Sequence, residues 1–160
     1  MKTIILYASK YGAAREIARR IAKKIEGAKL HDLKGGNIPP LDQYDCIIIG
    51  SSLYAGTIRK EAKSFLAQNS RILMEKQLGL FLSGLGGAPG EDTEKTYWAK
   101  NIPDELLKHA KAAMFLGGIF DPAKCGFLER LIIKAVAKTA DYTDTIMDER
   151  ITQLAGVLAK

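Results

Sequence analysis

Three short stretches of this 160-residue chain hold the residues best suited to chemistry. Ser9-Lys10-Tyr11-Gly12-Ala13-Ala14 follows an apolar run and opens a helical pattern. Ser52-Leu53-Tyr54-Ala55-Gly56 follows a second apolar run, and Ser83-Gly84-Leu85-Gly86-Gly87 follows a third. All three are rich in small residues, glycine and hydroxyls. Such loops offer a ligand backbone N–H groups and hydroxyls rather than an acid, a base or a nucleophile. The first also delivers its ligand to a helix N-terminus, where unpaired N–H groups and the positive end of the dipole favour a phosphate.

Several chemistries fail on the residues. A dinucleotide fingerprint needs G-x-G-x-x-G directly after the first strand, and that loop has only Gly12. The run from Gly84 matches the pattern until Pro89 replaces its last glycine. No G-x-x-x-x-G-K-[ST] loop is present. The hydrolase elbow G-x-S-x-G breaks after Gly50-Ser51-Ser52, where Leu53 and Tyr54 follow. A phosphorelay receiver needs acidic residues at strand ends that here read Ala8-Ser9 and Gly50-Ser51. His31 and His109 are the only histidines, and Cys46 and Cys125 lie far apart, so neither a metal site nor a disulfide framework is expected. The cysteines read as reduced thiols in a reducing compartment. No side chain is assigned a catalytic role, and a ligand site of backbone and hydroxyls is what is left standing.

The elements that must position these loops alternate along the chain. Ile4 to Ala8 is an apolar strand, and Ile17, Ala18, Ile21, Ala22 and Ile25 recur at helical spacing. Gly27 stops that helix, and Ala28 to Leu33 is a short strand. The Gly-Pro-rich stretch from Lys34 to Pro40 leaves little room for a second helix. Tyr44 to Gly50 is a buried strand, Ser51 to Ile58 a loop, and Arg59 to Ser70 a helix with Ala62, Phe65, Leu66 and Asn69 inward. Gln77 to Ser83 is the fourth strand. Helices follow at Glu91–Lys100 and Pro103–Ala110, then a fifth strand from Ala112 to Phe120, then helices at Phe127–Lys138 and Asp144–Ala159. Tyr97 and Trp98 are expected to pack their short helix rather than cover a ligand.

Strands separated by helices predict an α/β domain spanning residues 1–160: a doubly wound, five-stranded parallel sheet of order 2-1-3-4-5 with helices on both faces. Ligand then binds beyond the C-terminal strand ends at the switch point, where the three loops meet.

Net charge is +6. The basic residues are spread along the chain without a basic-aromatic module, so no nucleic-acid partner is expected. Arg15, Arg19, Arg20, Lys23 and Lys24 read as a solvated helix face. No apolar run reaches the ~18 residues of a spanning helix, and Lys2 with Ile4–Ala8 falls short of a signal peptide. A cytoplasmic protein is expected. In the segment after the fifth strand, Phe127, Leu128, Leu131, Ile132, Ala135 and Val136 form an apolar stripe flanked by Lys124, Arg130, Lys134 and Lys138. The stripe is expected to dock on the sheet as core. Peripheral contact with the inner face of an anionic membrane through Phe127–Lys138 is the alternative.

Ser9 and Gly12 fit the phosphate loop [ST]-x-[ST]-G-x-[ST] of the flavodoxin family, which the chain resembles. Tyr11 keeps a hydroxyl in a bulkier residue, and Ala14 departs. Gly50-Ser51-Ser52-Leu53-Tyr54-Ala55-Gly56 with Lys60-Glu61-Ala62, and the extra segment from Asp121 to Asp144, are similar to flavodoxin-domain proteins of the menaquinone-dependent protoporphyrinogen oxidase group. The resemblance implies a flavodoxin-like fold and FMN as cofactor. It implies phosphate held by amides near Gly12, Ala13 and Ala14 and by the Ser9 hydroxyl. It also implies Tyr54 against the isoalloxazine, a peptide of Ala55-Gly56 at the flavin N5, and N–H groups of Leu85, Gly86 and Gly87 at its N1/O2 edge. Three functions follow: an electron-transfer protein serving a redox partner protein; a dehydrogenase passing electrons from protoporphyrinogen IX to quinone; and an interaction module without flavin.

Overall fold

A computed structural model of the protein describes residues 1–137 and 141–160. Strand β1 (Thr3–Ala8) passes through residues 9–12 into helix α1 (Ala13–Ala22). Strand β2 (Lys29–Asp32) returns at the sheet edge. Two short 3-10 turns, Leu33–Gly35 and Leu41–Gln43, stand where a second crossover helix would otherwise lie. Strands β3 (Cys46–Tyr54) and β4 (Thr57–Ile58), helix α2 (Lys60–Met74), strand β5 (Gln77–Ser83) and helices α3 (Glu91–Asn101) and α4 (Asp104–His109) follow. Strands β6 (Ala112–Phe115) and β7 (Ile119–Phe120), helix α5 (Phe127–Ala137), strand β8 (Thr143–Asp144) and helix α6 (Asp148–Leu158) complete the order.

The main sheet runs β2-β1-β3-β5-β6, all parallel, which is the expected 2-1-3-4-5 order of its five long strands. Helices cover both faces, so the central strands β1, β3 and β5 read as nearly continuous apolar runs. Alternate residues still part company. Ile4, Leu6 and Ala8 join the core beneath α2, α3 and α4, whereas Ile5 and Tyr7 join the core beneath α1 and α6. Leu33 and Leu41, from the two 3-10 turns, fill the first of these in place of a helix.

Gly50 allows the centre of the sheet to close. It pairs in register with Tyr7 on β1 and Phe81 on β5, and a Cβ built on it would lie 1.9 Å from the Phe81 ring. Cys46 is buried in β3, and burial pushes its thiol up to about 11. A thiol reagent at neutral pH is therefore expected to label Cys46 only after denaturation, because the thiolate is the reactive form. Rapid native labelling of that residue, read by mass spectrometry, would contradict this packing.

Four expectations need correction. The stretch 51–58 is not a loop: β3 continues to Tyr54 and folds back antiparallel onto β4, pairing Leu53 with Ile58 and Tyr54 with Thr57. The run 112–120 is not one strand. Gly117, at φ +80°, turns the chain where a Cβ would meet the Thr145 carbonyl oxygen at 2.0 Å. The second half becomes β7, paired with β8. The last helix begins at Asp148, because Thr143–Asp144 is that partner strand and Asp144 Oδ1 accepts the Ile146 N–H at 2.9 Å. Finally, of the apolar stripe on α5, Phe127, Leu128 and Leu131 are 72%, 73% and 50% exposed rather than docked on the sheet, and the side chains of Ile132, Ala135 and Val136 lie outside the description. Lys138, at the end of that predicted helix, lies outside the described residues.

Arg20 ties α1 to the far end of the fold. Its guanidinium donates to Glu16 Oε1 at 3.1 Å, Asp144 Oδ2 at 2.9 Å and Asp148 Oδ2 at 3.1 Å. Among the described residues, no helix is long and apolar enough to cross a membrane.

Candidate functional site

A cleft of about 650 Å³ opens at the C-terminal ends of β1, β3, β5 and β6. That volume falls within the usual range for small-molecule sites, roughly 300–1,000 Å³. At one end stands the first turn of α1. Gly12 is its N-cap, in a left-handed conformation (φ 98°), and no side chain caps the turn. The N–H groups of Ala13, Ala14 and Arg15 therefore have no partner within the helix. The Gly12 N–H is engaged, donating to Ser9 Oγ at 2.9 Å. That bond fixes the loop and leaves the Ser9 hydroxyl proton to donate outward. Ala14 is fully buried in the core beneath α1, so it offers a ligand only its N–H.

The second wall is the β3–β4 hairpin. Its turn residues, Ala55 (φ 51°) and Gly56 (φ 73°), both lie in the left-handed region, as a two-residue type I′ turn demands. Alanine is strained there by ~1–2 kcal/mol. Ala55→Asn, which creates the favoured Asn-Gly pair, is expected to stabilise the domain by about 0.5–1 kcal/mol, read as a higher urea midpoint; a lower midpoint would refute the turn assignment. The hairpin is held from behind by the buried Asn101, a residue the sequence did not single out. Its Oδ1 accepts from Ile58 N at 2.9 Å, and its Nδ2 donates to Gly56 O at 2.9 Å. In front, Lys10 N donates to Ser52 Oγ at 3.2 Å and joins this wall to the phosphate-type loop.

The third wall is the glycine-rich turn after β5. Gly84 N donates to Gly117 O at 3.0 Å, and a Cβ on Gly118 would meet Gly84 O at 2.5 Å, so the two segments touch backbone to backbone. Gly86 and Gly87 carry positive φ and have open space around them. Ser83 Oγ is buried, lines the cleft and has no hydrogen-bond partner among the described residues. An orphaned hydroxyl of that kind costs about 1–3 kcal/mol unless something satisfies it. Tyr97 also lines the cleft, stacked on Phe115 with centroids 6.5 Å apart, whereas Trp98 is buried in the core.

The segment after β6 reaches the same place. Glu129 on α5 accepts from Tyr11 Oη and, at 3.3 Å, from Lys10 Nζ. The Lys10 ammonium also sits 3.6 Å from the centroid of the Tyr54 ring, a cation–π contact. Hydrogen bonding from Tyr11, then from Lys10, holds the Glu129 carboxyl below the usual glutamate value. Burial followed by the bond to Glu129 raises the Tyr11 phenol. Burial alone would lower the Lys10 ammonium, but its bonds to Tyr11 and Glu129 outweigh that and raise it. Phe120 and Cys125 form a small buried cluster against Tyr11.

Of the sixteen residues singled out from the sequence, Lys10, Tyr11, Ala13, Ser52, Leu53, Tyr54, Ala55, Gly56, Ser83, Gly84, Leu85, Gly86 and Gly87 line the cleft. Ser9, Gly12 and Ala14 are not among the residues that line it; Ser9 and Gly12 are partly exposed at its end and Ala14 is buried. His31 and His109 lie away from it, each bonded to a backbone carbonyl at 2.8 Å. Among the described residues, no group of three or more His, Cys, Asp or Glu is placed to hold a metal.

A family model described as the flavodoxin domain matches residues 4–146. The chain belongs to the flavodoxin-domain family. The solved structures agree on the fold. Oxidised flavodoxin 2 from Bacillus cereus matches at TM-score 0.61 and 20% identity, over 99% of this chain and 98% of that one. A WrbA-like flavodoxin from Agrobacterium tumefaciens matches at 0.51 and 20%, over 98% and 96%. Rubredoxin oxygen:oxidoreductase from Desulfovibrio gigas matches at 0.53 and 15%, over 99% of this chain but 35% of its own. This flavodoxin domain thus spans about a third of the length of that enzyme. A search of curated proteins finds no match.

Proposed function

We propose that this flavodoxin domain binds FMN in the cleft and exchanges electrons with a redox partner protein. The observation that carries the reading is the first turn of α1. Its N–H groups are uncapped at one end of a cleft whose other walls are backbone turns and the unpartnered Ser83 hydroxyl. These residues fit the cofactor. The N–H groups of Ala13, Ala14 and Arg15 with the Ser9 hydroxyl suit a phosphate dianion. Ser83 Oγ and the turn at Gly84, Leu85, Gly86 and Gly87 supply polar atoms where a flavin edge would lie. Tyr54, with Leu53, Ala55 and Gly56, gives a flat, partly apolar wall suited to a planar ring.

FMN would supply the electron chemistry itself; the chain supplies binding, orientation and exclusion of water. No side chain is assigned as general acid or base. The test is titration of the purified protein with FMN, followed by flavin absorption and fluorescence. Saturable quenching with a perturbed spectrum is expected. Absence of binding at high FMN would overturn the reading in favour of an interaction module without flavin.

A second reading has one specific observation behind it. Phe127, Leu128 and Leu131 are exposed on α5, beside the exposed Lys124, Arg130 and Lys134, and α5 touches the phosphate-type loop through Glu129. An apolar surface with a basic flank suits an anionic lipid face, where quinone dissolves. That would make the domain a quinone-linked dehydrogenase, with protoporphyrinogen IX as the substrate the sequence resemblance implies. Steady oxidation of protoporphyrinogen with menadione and no partner protein supports it. Failure to turn over, with no co-sedimentation on anionic liposomes, removes it.

A further inference from the structure

We propose that Lys124 is a ligand of the cofactor phosphate, reaching the site from the turn that precedes α5 rather than from the loop that opens α1. The proposal rests on the reading above that FMN occupies the cleft. Gly12 caps α1, and a Cβ built on it would lie 3.3 Å from Lys124 Nζ. The ammonium therefore stands against the residue that aims the first-turn N–H groups.

Its backbone is fixed there. Pro122–Lys124 is a 3-10 turn whose Asp121 side chain accepts from Ala123 N at 3.0 Å, and Lys124 N donates to Asp121 O at 3.1 Å. The next residue, Cys125, is buried against Tyr11 and Phe120.

Two features favour this cation over the lysine of the loop. Lys10, the lysine within the loop, is held by Glu129 and lies on the Tyr54 ring. Lys124 Nζ has no ion pair or hydrogen bond among the described residues. Ala14 meanwhile brings no hydroxyl to the loop. A phosphate monoester carries a charge of about −1.5 to −2 at pH 7, and a helix N-terminus offsets only about half a unit. An unengaged ammonium at that point supplies the charge that the loop does not. Independently, the buried, unpartnered Ser83 hydroxyl marks the same cleft as built for a polar ligand.

Lys124→Gln and Lys124→Arg are titrated with FMN and with riboflavin, which lacks the phosphate, at several salt concentrations and from pH 5 to 8. Lys124→Gln is expected to weaken FMN about ten-fold and leave riboflavin unchanged, while Lys124→Arg stays near wild type. In wild type, FMN affinity rises with pH through about 6 as the phosphate takes its second charge; in Lys124→Gln that rise flattens, and salt matters less. Unchanged FMN affinity in Lys124→Gln, or equal losses for FMN and riboflavin, would overturn the assignment and leave FMN binding intact. A wild-type protein that binds no FMN would instead overturn the functional reading, and this proposal with it.

Discussion

Gly50→Ala is expected to cost the fold about 3 kcal/mol, and Phe81→Leu added to it to recover a substantial part. The added methyl would arrive 1.9 Å from Cζ of Phe81 and 2.1 and 2.2 Å from its two Cε atoms. Phe81 cannot swing aside: it is fully buried beneath α1 and α6. Nor can the backbone shift, because β3 is paired on both sides, with β1 and with β5. Overpacking a filled core costs ~1–3 kcal/mol and sometimes more, and here both partners are pinned. Leucine at position 81 is smaller and removes the ring atoms in question. The two substitutions should therefore couple strongly in a double-mutant cycle, read by urea unfolding. If Gly50→Ala alone shifts stability by less than about 0.5 kcal/mol, within the range of a neutral surface change, the sheet centre is not packed in this way.

Ser9→Ala should damage the cofactor more than the fold. Ser9 Oγ accepts the Gly12 N–H at 2.9 Å and thereby holds the turn that presents the helix. Its own proton is then left to donate to the phosphate in the proposed FMN complex. Hydrogen bonds to charged groups are worth ~1.5–3 kcal/mol, which is roughly ten- to a hundred-fold in affinity. FMN binding should fall by that factor and riboflavin binding by much less, as isothermal titration would show. Equal weakening of the two flavins would mean that Ser9 only shapes the loop.

The sheet order was legible because the central strands, covered on both faces, are short apolar runs such as Ile4–Ala8 or Gln77–Ser83 that need no partner to be recognised, and the polar edge strand Lys29–Asp32 follows directly after the first helix. The strand, turn and helix over residues 3–22 were legible for the same local reason, since they are contiguous. What escaped was non-local or hidden by composition. Ser51 and Ser52 look like a loop, yet they extend β3 because the turn at Ala55-Gly56 sends the chain back along it; an alanine at positive φ gives no warning. Gly117-Gly118 did interrupt the run 112–120 and could have been read as a turn. Glu129 meets Tyr11 across 118 positions of sequence and Asn101 meets Gly56 across 45, and no spacing rule reports such contacts. Phe127, Leu128 and Leu131 on α5 had the periodicity of a core helix, yet they are exposed. Periodicity tells which residues share a face, not what that face meets.

Helix α6 carries a consequence for synthesis. Leu158 fills the space above Gly79, where a Cβ would lie 2.3 Å from its methyl, and Ile151, Leu154 and Leu158 complete the core under α1. Arg20, bonded to Glu16 within α1, likewise gains its other two partners only once Asp144 and Asp148 exist. While the chain is still on the ribosome, the first helix has been made but has no finished floor beneath it. The nascent domain must hold that apolar face exposed, to water or to a chaperone, until α6 emerges.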